Sequence, residues 1–331
     1  MPAVSIIIPV YNTAPFIKRC VCSLMEQTFQ DIEYIFINDN TPDNSIEILQ
    51  STLKEYPGRD VQIITHNTNR GLALTRRTGI NNAKGNYILM CDSDDYIEPD
   101  MVQLLYEAAT SAAQATPADI AVCDIFLEYS NEIKICKDKV AKTKEENFSN
   151  ILLQKDTVNS LCNKLIKRSL FDNPETIVPQ GMNYLDDRYV ITRIYYYADH
   201  IVKVDRALYH YIKHNVNAMT RKVEEYHFKD AVIFYETLKN FLITHETRSA
   251  SGTPECFKQI AVLEMQTKLL LLWGTKSSKL RYKYSSMFPE SEKQQKKSLK
   301  LSDRMMLCLS HKKYISKITS LLRCAMKIKN L

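Results

Sequence analysis

Asp92-Ser93-Asp94-Asp95 puts three carboxylates into four residues, directly after the apolar run Tyr87-Ile88-Leu89-Met90-Cys91. Like charges this close repel unless a cation or a set of hydrogen-bond donors compensates them. A hard divalent cation does so, because it takes carboxylate oxygens and keeps positions for the phosphate oxygens of a substrate. The chemistry implied is metal-dependent and acts on a phosphorylated donor. Within the cluster Asp95 has a plainer reading, as a residue that caps the next helix or holds the loop.

The elements that must position this cluster read as alternating strands and helices. Apolar runs at 5–10, 32–37, 61–64 and 87–91 have strand length, and 14–29, 45–56 and 72–83 carry helical signals. The polar turn Asn38-Asp39-Asn40-Thr41-Pro42-Asp43-Asn44 supplies cap residues for the helix over 45–56. Such alternation implies right-handed crossovers and a mostly parallel sheet, with ligand loops at the strands' carboxyl ends. Four loops then share one edge: Pro9-Val10-Tyr11-Asn12, Asn38-Asp39, Asn69-Arg70-Gly71 and Asp92 to Asp95. Singly, Pro9 ends a strand, Asp39 caps a helix and Gly71 makes a turn; their coincidence points to a site. Downstream the pattern predicts helices over 101–115 and 158–169, a helix opening at Asp186-Asp187, and one or two strands over 201–213. Beyond residue 218 the chain reads as helical and basic.

Composition narrows the class. The hydrophobic 45% and charged 25% are those of a globular protein with a sizeable core. Only 7 glycines are present, and neither Gly-x-Gly-x-x-Gly nor Gly-x-x-x-x-Gly-Lys occurs, which excludes the dinucleotide and P-loop modes of phosphate binding. The 9 cysteines are scattered and odd in number, and Cys20-x-Cys22 lacks redox or zinc spacing, so reduced cytosolic thiols are expected. The first strand follows Met1-Pro2-Ala3 directly, and no apolar run nears the roughly 20 residues that span a bilayer. A cytoplasmic protein, peripheral at the inner face of the cell membrane, is the expectation.

Order, spacing and residue type resemble the family 2 glycosyltransferases of the GT-A fold, nucleotide-sugar enzymes of the bacterial polysaccharide type. The resemblance runs through Ile6-Ile7-Ile8-Pro9-Val10-Tyr11-Asn12, then Ile37-Asn38-Asp39-Asn40-Thr41-Pro42-Asp43-Asn44-Ser45. It continues in Asn69-Arg70-Gly71-Leu72-Ala73-Leu74-Thr75-Arg76 and in the segment from Ala83 to Asp95. Asn163-Lys164-Leu165 looks like a later family segment, and Asp186-Asp187 stands where the family usually has Glu-Asp. The resemblance spans about residues 4 to 215. It implies a GT-A domain over 1–217, nucleotide-binding over about 1–115 and acceptor-side over about 116–217, with a helical region over 218–331.

The resemblance also implies roles. Pro9, Tyr11 and Asp39 would contact the nucleoside, Tyr11 stacking near the base and Asp39 accepting from a ring N–H. Asn69 and Arg76 would lie by the nucleotide, with Arg76 offering its guanidinium to phosphate or to the acidic cluster. Asp92 and Asp94 form the Asp-x-Asp element for Mn2+ or Mg2+, with Asp94 the direct ligand, Asp92 assisting and Ser93 supporting. An inverting transferase needs a base for the acceptor hydroxyl, and by position that is Asp187, with Asp186 its neighbour. The plain reading of this pair is a charged helix opening. Lys213 or His214 would close over the diphosphate, although Ile212 and Lys213 depart from the family's usual Tyr-Arg pairing.

From residue 293 onward the chain carries eleven Lys or Arg against Asp303 alone, although the net charge is only +6. Leu301, Met305, Cys308 or Leu309, Ile315, Ile318, Leu322 and Ala325 or Met326 recur at helical intervals there. Such a helix suits an anionic membrane surface or packs on its own domain; no nucleic-acid motif accompanies it. The expected partners are a nucleotide-sugar donor, by resemblance in the UDP series, and a glycan or lipid-linked acceptor. The rivals are a non-catalytic glycan-binding or scaffold relative and a sugar-phosphate nucleotidyltransferase. The latter needs a glycine-rich loop where Pro9 to Pro15 stands.

Overall fold

A computed structural model describes residues 1–112, 116–215, 222–246 and 254–311. The chain divides into two units, Met1–Asn217 and Ala218–Leu331. The first begins β1 (Val4–Val10), α1 (Ile17–Met25), β2 (Ile32–Asn38), α2 (Ser45–Leu53), β3 (Asp60–Thr65), α3 (Leu72–Asn82) and β4 (Tyr87–Met90). These strands pair in parallel in the order β3-β2-β1-β4. Every residue of β1 and β4 is buried, as expected of strands covered on both faces. The outer strand β3 instead mixes exposed and half-buried positions.

The rest of the unit comprises β5 (Tyr96–Ile97), α4 (Met101–Thr110), β6 (Ile120–Glu128), β7 (Ile133–Cys136), α5 (Lys144–Leu153) and β8 (Lys164–Lys167). Short 3-10 turns at Arg168–Asp172 and Pro174–Thr176 lead to α6 (Asp186–Tyr197) and β9 (Ile201–Ile212). The sheet continues β4-β8-β6-β9-β5, with β7 on β6. β8 runs antiparallel to both β4 and β6, whereas β9 is parallel to β6. The carboxyl ends of β4, β6 and β9 therefore face the same edge as those of β1 to β3.

This corrects the helix expected over 158–169. Lys164 to Lys167 form a strand, and only the turn after them is helical. Local sequence favours a helix there, but Leu165 and Ile166 fill the gap between β4 and β6, where their amides join two ladders. Tertiary pairing overrides propensity. The helix expected over 101–115 ends at Thr110, with 113–115 outside the described residues. Residues 201–212 form one strand rather than two.

One contact decides how deep α3 lies on the sheet. A Cβ on Gly79 would sit 2.3 Å from Ile7 Cγ2 and 2.9 Å from Ile37 Cδ1, so at this position the backbone of the helix lies directly against side chains of β1 and β2. Arg76, one turn earlier, takes its position from this close approach.

The second unit contains α7 (Glu225–Glu246), α8 (Pro254–Gly274), α9 (Ser278–Lys283), α10 (Pro289–Gln295) and α11 (Leu301–Ser310). Fully buried Lys268 ties α8 to the α10 region, donating to Met287 O at 2.7 Å and Glu292 Oε2 at 2.6 Å. In α11, Met306 and Leu307 are buried. The tail positions Ile315, Ile318, Leu322, Ala325 and Met326 lie outside the described residues. No described helix is long and apolar enough to cross a membrane, and Cys20, Cys22, Cys91, Cys123, Cys136 and Cys162 are free thiols.

Gly79→Ala should destabilise the protein by about 1–3 kcal/mol through overpacking, against alanine's higher helix propensity. Urea denaturation measures this, and an unchanged or raised midpoint would refute the close seating of α3.

Candidate active site

Arg76 is 4% exposed and points from α3 into three carboxylates, the adjacent Asp186 and Asp187 and the sequence-distant Asp92. Its Nη1 donates to Asp186 Oδ2 at 2.6 Å and to Asp187 Oδ1, and its Nη2 donates to Asp92 Oδ1 at 2.9 Å. Burial alone would pull the guanidinium's pKa down, but Asp187, Asp92 and Asp186 outweigh it and hold it well above the ordinary value. One positive charge therefore serves three potential negatives. Burial raises the Asp187 carboxyl to about 7, with Asp186 and Asp92 adding to the rise and Arg76 opposing it. Asp186 is also raised by burial. Asp187 keeps 24% of its side chain in reach of solvent against 10% for Asp186, so Asp187 is the more accessible of the pair. Its Oδ2 accepts from Ser160 Oγ at 3.4 Å.

Asp92 to Asp95 leave β4 as a tight loop, closed by Asp95 N donating to Asp92 O at 3.0 Å. Asp95 is 2% exposed and holds the loop to β9: Tyr209 Oη donates to its Oδ2 at 2.6 Å and Ile212 N to its Oδ1 at 2.8 Å. Burial, with Asp94 and Asp92 beside it, raises this carboxyl well above its usual range. Asp94 is raised by the same two causes, burial first and then Asp92, and its Oδ2 accepts from Asn215 Nδ2 at 2.8 Å. Ser93 turns inward to Thr13, Oγ to Oγ1 at 3.0 Å.

The loops after β1, β2 and β3 meet on the same edge. Pro9 is buried, and its ring nitrogen falls on the side where Ile7 O accepts from Cys91 N at 3.0 Å. The β1–β4 ladder stops at Ile7, so proline costs no strand bond there. Tyr11 is 46% exposed, which leaves its ring available for stacking. Asp39 is 3% exposed and fastens the third loop, taking Arg70 N at 2.8 Å and Gly71 N at 2.9 Å, with His66 Nδ1 2.8 Å from its Oδ1. Asn69 is exposed, its Oδ1 3.2 Å from Gly71 N. Gly71 has φ +84°, and a Cβ on it would lie 2.2 Å from Asn183 Oδ1, so only glycine fits.

Lys213 and His214 stand where β9 ends, next to the Asn215 that reaches Asp94. Lys213 Nζ lies 3.9 Å from the Tyr211 ring centroid, and His214 Nδ1 is buried with no hydrogen-bond partner. Below them His210 stacks between Tyr96 and Phe126 and meets Glu98 and Glu128, each at 2.7 Å.

The structure thus brings together Arg76, Asp92, Asp186 and Asp187, with Asp94 alongside, and gathers Tyr11, Asp39 and Asn69 in neighbouring loops. Sequence reasoning missed Asn215, Tyr209 and the segment Ser160-Leu161-Cys162, whose Cys162 Sγ lies 3.7 Å from Asp92 Oδ2. It also missed Asp43, which accepts from Ala14 N at 2.9 Å and from Thr41 Oγ1 and Ser45 Oγ at 2.6 Å each, stitching the first two loops together. Only Asp43 had a usable signal: it lies in a Thr-Pro-Asp-Asn-Ser turn rich in capping residues.

Solved structures share this architecture. The S. aureus TarS 1–349 structure in complex with UDP-GlcNAc superposes at TM-score 0.57 with 16% identity, covering 98% of this chain and 91% of that one. The mannosyltransferase PcManGT from Pyrobaculum calidifontis, in complex with GDP-Man and Mn2+, gives TM-score 0.53 at 15% identity, covering 99% and 87%. The fold is therefore the α/β GT-A type, a mostly parallel curled sheet flanked by helices. The family model for glycosyl transferase family 2 matches residues 5–173, and this chain belongs to that family. The uncharacterized glycosyltransferase EpsJ of Bacillus subtilis (strain 168) is 33% identical over 227 residues, 66% of this chain and 63% of EpsJ. The chain thus spans just under two thirds of that relative.

Folding raises the Asp187 carboxyl from an ordinary value of about 4. The stability it contributes is therefore present below that value and lost as pH rises through about 7. Asp187→Asn does not titrate, so its Tm relative to the native protein should climb across that window and then level off. A Tm difference that stays flat with pH would contradict the assignment.

Proposed function

We propose that this glycosyltransferase moves a sugar, of hexosyl or acetylhexosaminyl type, from a nucleoside diphosphate to a hydroxyl of a growing glycan or lipid-linked acceptor. The reading takes a UDP-sugar as donor, inversion at the anomeric carbon, and a place in cell-surface polysaccharide synthesis. The observation that carries it is the single guanidinium of Arg76 joining Asp92 to Asp187. Asp92 and Asp94 belong to the leaving-group end and Asp187 to the acceptor end. The acceptor oxygen attacks the anomeric carbon, the bond to the diphosphate breaks, and the hydroxyl proton passes to Asp187 Oδ2. A carboxyl raised to about 7 is a base matched to neutral pH.

Donor recognition follows from the loops. Tyr11 stacks near the base, and the second lone pair of Asp39 Oδ2 accepts from a ring N–H. Asn69 lies beside the nucleotide, Pro9 contributes backbone, and Lys213 or His214 meets the diphosphate from the end of β9. UDP-GlcNAc in the TarS complex supports the donor class.

Mn2+ or Mg2+ fits Asp94 and Asp92. Their carboxylates crowd one another, which contributes to the rise at Asp94. Among the described residues no group of three metal-ligating side chains forms. That matches an ion held by one or two carboxylates together with substrate phosphates. When bound, the ion neutralises charge on the departing diphosphate. The Mn2+ of the PcManGT complex supports the choice.

Release of nucleoside diphosphate from a panel of donors and acceptors tests the reading. Asp187→Asn should cut the rate by about 10^2- to 10^4-fold, and Asp94→Asn or EDTA should abolish it. In the native protein the rate should rise with pH through about 7. Full activity in Asp187→Asn removes the base from the reading, and activity surviving EDTA removes the metal. UDP with Mn2+ should also raise Tm more than GDP does.

The basic segment from residue 293 supports peripheral contact with an anionic membrane. Sedimentation with phosphatidylglycerol vesicles should fall when the chain ends at Glu292, and equal binding by both proteins would end that idea.

A further inference from the structure

Lys164 is 0% exposed at the start of β8, a rare setting for an ammonium group. Its Nζ lies 3.0 Å from Asp138 Oδ2, 2.7 Å from Val158 O, 3.1 Å from Ser160 O and 2.7 Å from Asn163 Oδ1. An ammonium has three hydrogens, so these acceptors saturate it. Asn163 Nδ2 closes the knot, donating to Asp138 Oδ2 at 2.9 Å and Cys123 O at 2.7 Å. The segment 158–163, between α5 and β8, is thereby pinned from within.

Three consecutive residues of that segment touch the carboxylates of the active site. Ser160 Oγ lies 3.4 Å from Asp187 Oδ2, the Leu161 amide donates to Asp187, and Cys162 Sγ lies 3.7 Å from Asp92 Oδ2. Arg76 also bonds both Asp187 and Asp92. The segment is thus a second bridge between the two, and Lys164 is what holds its backbone.

We propose that Lys164 is a positioning residue for sugar transfer, its buried ammonium fixing segment 158–163 so that Asp187 and Asp92 keep their relative placement. The inference rests on the proposed roles of those two carboxylates. A purely structural ion pair would end at Asp138. Here two of the four acceptors are main-chain carbonyls of the segment that reaches the site. An apolar side chain could fill the same space with less desolvation, but it could not donate to those carbonyls.

Lys164→Met alone strands the buried Asp138 charge, so the test pairs it with the charge-balanced Lys164→Met/Asp138→Asn. The double variant should fold with a Tm near the native value. Its kcat should drop about tenfold to a hundredfold, as sub-ångström misplacement does, with donor KM changed less than about twofold. Independently of activity, hydrogen exchange at the Leu161 amide should quicken relative to the β1 and β2 amides. Native kcat in the folded double variant, a raised KM with unchanged kcat, or unaltered Leu161 exchange would overturn the inference. So would failure of both variants to fold, since Lys164 would then serve the fold alone. An inactive native protein would instead count against the proposed function, and the exchange measurement would still decide the role of Lys164.

Discussion

The buried guanidinium of Arg76 is the constraint around which the first unit is arranged. Three carboxylates from the end of β4 and the start of α6 converge on it, and without it they would lie close together with no cation among them. Removing one partner from such a buried group leaves uncompensated charge, which is far more disruptive than losing a surface pair. The rest of the unit can be read as what this arrangement requires. α3 lies close enough to the sheet to deliver Arg76 because position 79 has no side chain. β4 stops early enough to leave Asp92 at the edge. The segment before β8 holds the far sides of Asp92 and Asp187. Burial, with Asp186 and Asp92 close by, raises Asp187 even so, against the pull of the guanidinium.

Much of this was legible in the sequence, for identifiable reasons. Strands buried on both faces read as unbroken apolar runs, so β1, β2 and β4 were plain. The loops after them carry proline, glycine and short polar residues whose backbone preferences are local. The candidate site residues Asp39, Asp92 and Asp94 follow strands whose direction the alternation fixes. Arg76, inside α3, and Asp187 as the base were named through the family resemblance.

What escaped was set by tertiary pairing. β8 is four residues long, and its insertion between two strands of the opposite direction leaves no periodic trace. The helix expected there gave no sign that Lys164 is wholly enclosed. Tyr209 looks like an ordinary strand residue and Asn215 lies just past the strand; only the return of β9 to the edge of the sheet brings them to Asp95 and Asp94. Charge and spacing along the chain say where a group can be, and the sheet order decides what it meets.

The reversed strand β8 has one more consequence. It splits the sheet into a parallel block, made by residues before Asp92, and a block made by β5 and by strands after Ala118, with a single antiparallel seam on each side of β8. Side chains from both blocks cross it: Arg76 reaches Asp186 and Asp187, Arg77 the Phe171 carbonyl, Tyr87 the Ala118 carbonyl and Arg168 the Gly85 carbonyl. The two blocks are therefore latched rather than merely adjacent, and a change in the length or direction of β8 would be felt by the carboxylates on both sides of it.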